Sequence, residues 1–248
     1  MSIKRVQYFE DGQVAWYEED IIDSTTKFKP GIYQPKLDRD GSCYAEMVTN
    51  KENHAPIMSQ KIKDILTYIE SFQRKEVRER INKIGFVHKL GILLFGRPGT
   101  MKTTFMNYVS GILISKSDAI VVDTENYNAA VAFVKVVRET QDNLIILLID
   151  EADAYLEQFI THLKLLLDGG KSIENIIVIA STNKIELFEA SLLRPSRFKL
   201  QVEFEGIQDL GEIEKILKEK GVKYTKKELN ELKGCTIDEI KNFIVNKV

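Results

Sequence analysis

An eight-residue stretch near the middle of the chain has the residue types and spacing of a phosphate-binding loop. It reads Gly96-Arg97-Pro98-Gly99-Thr100-Met101-Lys102-Thr103, between an apolar run and a helical pattern that starts at Thr104. Glycines let the backbone approach an anion, successive N–H groups point at it, and the helix N-terminus adds positive potential. In this context Lys102 would contact the terminal phosphates and Thr103 would help to hold Mg²⁺. The alternative is an ordinary Gly/Pro turn between a strand and a helix.

One position departs from the pattern G-x-x-x-x-G-K-[ST], because Met101 stands where glycine is usual. A side chain there must tolerate the backbone angles that the loop imposes and must stay out of the phosphate space. We therefore expect Met101 to weaken nucleotide binding or to tilt the loop slightly.

Two adjacent acids, Asp150 and Glu151, follow the apolar run Leu144–Ile149. Carboxylates at the end of a buried strand are costly unless they meet a cation or water. Beside a triphosphate that cation is Mg²⁺, which Asp150 would help to hold, while Glu151 would activate the attacking water as general base. The alternative is a pair of helix N-cap residues for a helix over 152–168.

The composition bounds the function. The chain has 248 residues, a formal charge of −2, two cysteines and three histidines. This length is sufficient for a full core, and the charge gives no overall attraction to nucleic acid or to anionic membranes. Cys43 and Cys235 are far apart in the sequence and favour free thiols in a reducing compartment. The histidines (His54, His88 and His162) have no metal-binding spacing.

The longest apolar run is far shorter than the roughly 20 residues of a membrane-spanning helix. The first residues also lack the apolar segment of a signal peptide. We therefore expect a soluble, cytoplasmic protein with no membrane span.

The chain divides by pattern into three parts. Residues 1–56 alternate aromatic and β-branched residues with polar ones and indicate a β-rich segment of two or three hairpins. It would either recruit a partner or simply pack against the rest. Residues 57–205 form the predicted main domain, in which one helix runs from Ser59 through Arg80. Residues 206–248 contain two capping-box patterns, at Thr225 and Thr236, and predict a short helical lid.

Within 57–205, apolar strands alternate with helical patterns. The strands are expected at 91–95, 119–123, 144–149, 176–180 and 200–204, and the helices near 102–114, 127–140, 152–168 and 184–191. Strands that are almost entirely Ile, Val and Leu are buried on both faces, as in a parallel sheet between two helix layers. Ligands bind at the carboxyl ends of such strands, where Asp150 and Asn183 would lie.

These motifs together resemble the AAA (AAA+) family of P-loop ATPases. The matching segments are Gly96–Thr103, Leu147–Glu151, Ala180–Asn183, Leu165–Gly170, Ser191–Phe198 and Gly234–Ile240. The resemblance implies a three-layer α/β/α fold with a five-stranded parallel sheet and a C-terminal helical lid. It also implies ATP and Mg²⁺ as cofactors.

The resemblance also implies roles for single residues. Lys102 and Thr103 match the Walker A pair, Asp150 and Glu151 match Walker B, and Asn183 matches sensor 1. Arg194 and Arg197 match the arginine fingers, which complete the site of a neighbouring subunit. Fingers that act in trans imply a homo-oligomeric ring, in this family usually a hexamer.

Within the family, Gly85–Gly96 is similar to the branch of the mitochondrial Rieske-protein translocase, which also has a β-rich segment before the ATPase. Short AAA ATPases of phages and other viruses are similar as well. The segment after the second strand, Thr124–Asn128, lacks the aromatic-x-Gly pore loop that grips a threaded polypeptide in many relatives. Tyr127 is its one aromatic residue, and we expect it to be packed or solvent-facing.

The leading hypothesis is therefore an ATP-hydrolysing ring protein that remodels or assembles an unidentified protein or nucleoprotein partner. The alternative is a nucleotide-gated scaffold that binds ATP to assemble and hydrolyses it weakly because of Met101. A P-loop kinase of small molecules fits less well, since such kinases do not need Asn183, Arg194 and Arg197 in these places.

Overall fold

The computed structural model describes residues 5–8, 13–17, 25–37, 39, 43–48, 55–57, 59–123, 126–157, 160, 163, 166–167 and 173–247. The four N-terminal strands are β1 (Arg5–Tyr8), β2 (Gln13–Tyr17), β3 (Gly31–Leu37) and β4 (Cys43–Val48). Two helices follow, α1 (Gln60–Phe72) and α2 (Lys75–Lys83).

After these two helices, strands and helices at first alternate as expected. They are β5 (Lys89–Phe95), α3 (Lys102–Ser117), β6 (Ile120–Asp123), α4 (Tyr127–Thr140), β7 (Ile145–Ile149), β8 (Ile176–Thr182) and β9 (Leu200–Glu203). The lid contains α5 (Leu210–Glu219), α6 (Lys226–Glu231) and α7 (Ile237–Val245). Thr225 and Thr236 both form the predicted capping boxes at the starts of α6 and α7.

The sheet has the order β1-β2-β4-β3-β6-β7-β8-β5-β9. The five strands from β6 to β9 are parallel, which confirms the predicted fold class. Every residue of β7 and β8 is buried, because helices cover both faces of the sheet. Along β5 the side chains alternate between two cores, with Leu93 on one face and Ile92 and Leu94 on the other.

The strand count differs from the expectation, because the N-terminal strands extend the same sheet to nine strands in the described part of the chain. β3 pairs in parallel with β6, with Ile32 opposite Val121. The rings of Phe28 and Phe133 pack with their centroids 5.1 Å apart, and this contact joins the N-terminal segment to α4. The described N-terminal strands therefore join the parallel part of the sheet and pack against α4. The division into 1–56, 57–205 and 206–248 stays a prediction.

The helix predicted from Ser59 through Arg80 is wrong, since the structure has a break between α1 and α2. Arg74 is extended (φ −62°, ψ 136°). The carbonyl of Phe72, which a continuous helix would use internally, instead accepts a hydrogen bond from Nε2 of the buried His88 at 2.8 Å. The Phe72 and His88 rings stack with centroids 4.0 Å apart. A tertiary contact therefore ends α1.

One other helix prediction also needs correction, and a further one is confirmed in part. The segment predicted as a helix over 184–191 contains only a 3₁₀ turn, Ile185–Leu187, because Phe188 turns to extended backbone and buries its ring. The segment 152–168 opens as a 3₁₀ turn, Ala152–Tyr155, and its described residues after that turn (156–157, 160, 163 and 166–167) are helical, as predicted. Part of its remainder, like part of the Leu165–Gly170 motif, lies outside the described residues.

Candidate functional site

The loop between β5 and α3 has the backbone shape of an anion-binding turn. Gly96 has φ 140° and Gly99 has φ 77°. A Cβ atom on Gly96 would lie 2.1 Å from the carbonyl oxygen of Phe204, so no side chain fits there. Beyond the loop, α3 begins at Lys102 with its N-terminus toward the same space.

Met101 occupies the left-handed region, with φ 72° and ψ 21°. This conformation suits glycine and costs a residue with a Cβ atom roughly 1–2 kcal/mol. The sequence predicted that a side chain here would have to tolerate special backbone angles, and the structure shows which angles those are. Met101 lines a cavity on each side of the loop.

The Lys102 side chain is buried at the base of the loop, with 7% of its surface exposed. Its Nζ donates hydrogen bonds to the carbonyl oxygens of Gly96 at 2.7 Å and Arg97 at 3.0 Å. Burial lowers the pKa of Lys102 below its usual 10.5, and the nearby carboxylates, Asp150 foremost, oppose that shift. The ammonium is thus held against the loop by the loop's own carbonyl groups.

Thr103 and Asp150 come together from different elements. The Thr103 hydroxyl, in the first turn of α3, donates to Oδ2 of Asp150 at 2.7 Å. Asp150 directly follows β7, and in the sheet β8 lies between β7 and the strand β5 that precedes the loop. One hydroxyl and one carboxylate side by side, open to solvent, are oxygen donors that suit Mg²⁺.

Glu151 is exposed and has left-handed backbone angles (φ 48°, ψ 47°). Its N–H donates to Oδ1 of Asp150 and to Oγ of Ser181, each at 3.1 Å. Glu151 occupies the N-cap position of the following 3₁₀ turn but forms no side-chain capping bond. The capping alternative for the acidic pair is therefore not supported.

The end of β8 holds Asn183 beside these acids. The N–H of Asn183 and the hydroxyl of Thr182 both donate to Oδ1 of Asp153, at 3.3 and 2.8 Å. Ser181 contacts both Asp150 and Glu151. Sequence reasoning missed Ser181 and Asp153. The available signal was that both stand within two residues of a predicted site residue.

These elements enclose one cavity of about 330 Å³. Its lining residues are Pro98, Gly99, Thr100, Met101, Lys102, Thr103, Thr104, Asp150, Glu151, Ser181, Asn183, Ile237, Asp238 and Lys241. Most of the predicted site residues thus meet in one place, together with three lid residues that the sequence did not single out. Gly96 shapes the loop from below, and Arg97 instead donates to the Gly234 carbonyl of the lid at 3.0 Å.

A second cavity of about 340 Å³ lies on the other side of Met101. Its walls include the apolar side chains of Ile57, Ile62, Val202, Phe204 and Ile207. A third, polar cavity of about 610 Å³ reaches Asp150 and Glu151 from β3 and β6. Both cavities border the phosphate loop or the acidic pair.

Arg194 and Arg197 are not brought to the 330 Å³ cavity of their own chain, as far as its described lining shows. Arg194 is exposed, and Arg197 is half-buried and donates to the Ser191 carbonyl at 2.5 Å. The backbone around Arg197 is fixed against β5, because a Cβ atom on Gly91 would lie 1.8 Å from the Arg197 carbonyl oxygen. The turn that carries the two arginines therefore packs closely against β5 at Arg197, and Arg194 is exposed on it.

Tyr127 is buried at the start of α4, and its ring packs against Tyr155 with centroids 5.8 Å apart. Of the two expectations for this tyrosine, packed or solvent-facing, the structure shows the packed one. Residues 124 and 125 lie outside the described part of the chain.

No cluster of three or more metal-binding side chains occurs among the described residues, and no helix among them is long and apolar enough to cross a bilayer.

Comparisons with known proteins agree with this geometry. Residues 92–206 match the model of the "ATPase family associated with various cellular activities (AAA)". The chain is 31% identical over 150 residues to the vesicular-fusion protein SEC18 of Saccharomyces cerevisiae, which covers 50% of this chain and 20% of that protein. It is 30% identical over 215 residues to a proteasome-activating nucleotidase of Saccharolobus islandicus, which covers 71% of this chain and 53% of that protein.

The chain thus spans between about a fifth and a half of the length of these relatives. The matches do not distinguish branches of the family, so the likeness to the Rieske-protein translocase and to viral ATPases stays a prediction. The family model begins within β5 and ends beyond β9, and it therefore includes the phosphate loop, the acidic pair and the end of β8. Residues 92–206 of this chain are thus similar to the AAA family of ATPases.

Proposed function

We propose that this chain binds ATP with Mg²⁺ and hydrolyses it as a subunit of a homo-oligomeric ring, and that the nucleotide cycle remodels or assembles a macromolecular partner. The observation that supports this most is the 2.7 Å contact between Thr103 and Asp150, which joins the phosphate loop to the acidic pair. Lys102 and Asn183 line the same cavity. A simple Gly/Pro turn has no need of these partners.

The residues present fit a magnesium–triphosphate group. Thr103 and Asp150 would hold the metal ion, which when bound neutralises phosphate charge. Lys102 and the loop N–H groups would bind the phosphates. Glu151 would accept the proton of the attacking water, and Asn183 would orient that water or the terminal phosphate.

The apolar cavity beyond Met101 is the proposed place of the nucleobase. It lies on the opposite side of the loop from the acidic pair, with Phe204 and Ile207 among its walls. An aromatic base gains free energy when such apolar surface covers it. Gln208, which precedes lid helix α5, and Glu212, within it, also line this cavity and would then sense whether the base is present.

Arg194 and Arg197 are proposed to act on a neighbouring copy. Arg194 is exposed and Arg197 is half-buried on one turn, and the polar 610 Å³ cavity beside Asp150 and Glu151 offers a neighbour's guanidinium a route to the phosphates. A cation supplied at that point neutralises charge that builds during phosphoryl transfer. Heterologous contacts of this kind close into rings, and the similarity to the AAA family favours a hexamer.

The partner is proposed to be a protein or nucleoprotein. The names of the relatives describe vesicle fusion and proteasome activation, which both involve macromolecular partners. Threading of an unfolded chain has less support, because Tyr127 is packed against Tyr155 and is not presented to a pore. The N-terminal strands remain the candidate recruiting surface.

Steady-state phosphate release tests the proposed hydrolysis. Lys102→Ala should lower the rate at least about 100-fold, and Glu151→Gln should lower it similarly while ATP stays bound. The matched control is Lys116→Ala, on the same helix but paired with Glu70 on the surface at 2.7 Å, which should keep the wild-type rate. Wild-type protein that binds ATP but releases no phosphate at ring-forming concentration would contradict the proposal.

That outcome would favour the scaffold, for which Met101 in its strained conformation is the specific observation. Affinity capture with the Glu151→Gln form, in ATP and in ADP, would then identify the partner. A partner retained only in ATP supports nucleotide-controlled assembly.

A further inference from the structure

Ser181 is a buried polar residue at the end of β8, with 1% of its surface exposed. It stands beside the end of β7, because Ile149 pairs with Ala180 across the two strands. A hydroxyl buried at this point needs hydrogen-bond partners. It finds both of them in the acidic pair.

The Ser181 hydroxyl donates to Oδ1 of Asp150. Its Oγ also accepts the N–H of Glu151 at 3.1 Å. The other carboxylate oxygen of Asp150, Oδ2, accepts the Thr103 hydroxyl at 2.7 Å. Each oxygen of this carboxylate therefore has a side-chain donor of its own, one from β8 and one from α3. This fixes the rotation of the carboxylate about its own axis.

The same serine also restrains the main chain of Glu151. Glu151 adopts left-handed angles (φ 48°) that a side chain with a Cβ atom adopts at a cost. Its N–H points at Ser181 Oγ and Asp150 Oδ1, so both hydrogen bonds depend on that conformation. In this conformation Glu151 lines the cavity that Lys102 and Asn183 also line, and it lines the 610 Å³ cavity as well.

We propose that Ser181 is a positioning residue: its hydroxyl orients the Asp150 carboxylate for the metal ion and holds Glu151 in the conformation that presents its carboxylate to the attacking water. This inference rests on the proposed function, because it assumes a magnesium–nucleotide complex above the loop. Groups that orient a metal-binding carboxylate contribute about 10- to 100-fold to metal affinity or activity.

The test compares Ser181→Ala with Ser110→Ala. Ser110 is equally buried, but it lies on α3 and its hydroxyl donates to the Met106 carbonyl at 2.8 Å, away from the acidic pair. Both variants lose one buried hydroxyl, so they should unfold at similarly reduced temperatures. Only Ser181→Ala should change the site.

The measurements are ATP affinity in Mg²⁺ and in EDTA, and the Mg²⁺ dependence of phosphate release. Ser181→Ala should raise the Mg²⁺ concentration for half-maximal rate about tenfold and lower kcat by about the same factor. Its ATP affinity should fall in Mg²⁺ but match wild type in EDTA. Ser181→Thr, which keeps the hydroxyl, should restore the Mg²⁺ dependence even if the added methyl group lowers stability.

Three results would overturn the inference. They are equal behaviour of Ser181→Ala and Ser110→Ala, an unchanged Mg²⁺ dependence in Ser181→Ala, or an equal loss of ATP affinity in EDTA. Wild-type protein that takes up no ATP is a separate result, since it contradicts the proposed function itself.

Discussion

Asp238, in the first turn of lid helix α7, lies against Gly99 of the phosphate loop. A Cβ atom on Gly99 would be only 2.9 Å from Oδ2 of Asp238. The lid therefore places a carboxylate at the wall of the 330 Å³ cavity, together with Lys241, whose Nζ is 3.1 Å from Oδ1 of Asp238. At this wall the Asp238 carboxylate repels a bound phosphate and weakens its binding, whereas the Lys241 ammonium attracts the phosphate and strengthens its binding.

Asp238→Asn should strengthen ATP binding about fivefold, because like charges a few ångströms apart cost about 1 kcal/mol in water. The gain in ATP affinity should shrink in high salt, since the Asp238 and Lys241 side chains are both exposed to screening ions. Lys241→Met should weaken binding and serves as the opposite-sign control on the same helix. Fluorescence titration with a labelled ATP at low and high salt measures both. Equal affinities for wild type and Asp238→Asn at low salt would contradict the prediction.

Met101→Gly should stabilise the protein by about 0.5–1 kcal/mol, because relief of the left-handed strain exceeds the extra flexibility that glycine gives the unfolded chain. It should also raise the rate of phosphate release, since the loop would no longer hold a side chain at its tightest point. Asp118→Gly is the matched control, because Asp118 is also left-handed (φ 49°) but ends α3, outside the lining of the 330 Å³ cavity. Thermal unfolding and phosphate release, measured together, test this. A rate gain in both variants would show a general effect of stability.

The core of the fold was predictable because its strands are nearly continuous runs of Ile, Val and Leu. Such runs are buried on both faces, and that is a local property of the sequence. The break after Phe72 was not predictable, because it depends on the contact with His88, 16 residues further on. The pairing of β3 with β6 was not predictable either, since it joins Ile32 to Val121 and no local pattern fixes that register.

The residues of the site were also predictable only in part. Lys102, Asp150 and Asn183 were predictable because each stands just beyond a buried strand, and neighbouring parallel strands end at one edge. Ser181, Asp153 and Asp238 were not, because their importance depends on which atoms of another element they contact. For Met101 the sequence predicted that the residue must tolerate special backbone angles, but it did not predict which angles.

Asp153→Ala should lower kcat about tenfold or more with little change in ATP affinity. The reason is that one oxygen of Asp153 accepts both the Thr182 hydroxyl and the Asn183 N–H, and so fixes the backbone that presents the Asn183 side chain. Asp153→Asn keeps an acceptor oxygen and should retain most of the rate. If the two variants lose activity equally, the charge of Asp153, which also acts on Lys102, is the cause instead.

Stability should fall as the pH is lowered from 7 to 5, in part because of His88. Burial lowers the pKa of His88 below its usual 6.5, so the folded protein takes up this proton only at lower pH than the unfolded chain does. In that window the unfolded state binds more protons, and one such group contributes a slope of at most about 1.4 kcal/mol per pH unit.

His88→Gln tests this, because its amide can still donate to the Phe72 carbonyl but does not titrate. Urea unfolding at several pH values should give a less stable protein with a flatter dependence between pH 7 and 5. An unchanged slope would assign the effect to other groups.

Arg197→Ala should retain ATP affinity but lose most turnover, about 1000-fold where the guanidinium completes a neighbour's site. The decisive measurement mixes Arg197→Ala with wild-type subunits at a fixed total concentration. If Arg197 acts across a subunit boundary, an Arg197→Ala subunit inactivates the site of its neighbour. A Lys102→Ala subunit instead inactivates its own site. A mixture of Arg197→Ala and Lys102→Ala should therefore recover activity that neither has alone, because some boundaries then pair an intact arginine with an intact loop. Lys199→Ala, on the same segment and 5.5 Å from the centre of the Tyr68 ring, should behave as wild type in every mixture. The absence of any recovery in rings shown to contain both variants would place the action of Arg197 within its own chain.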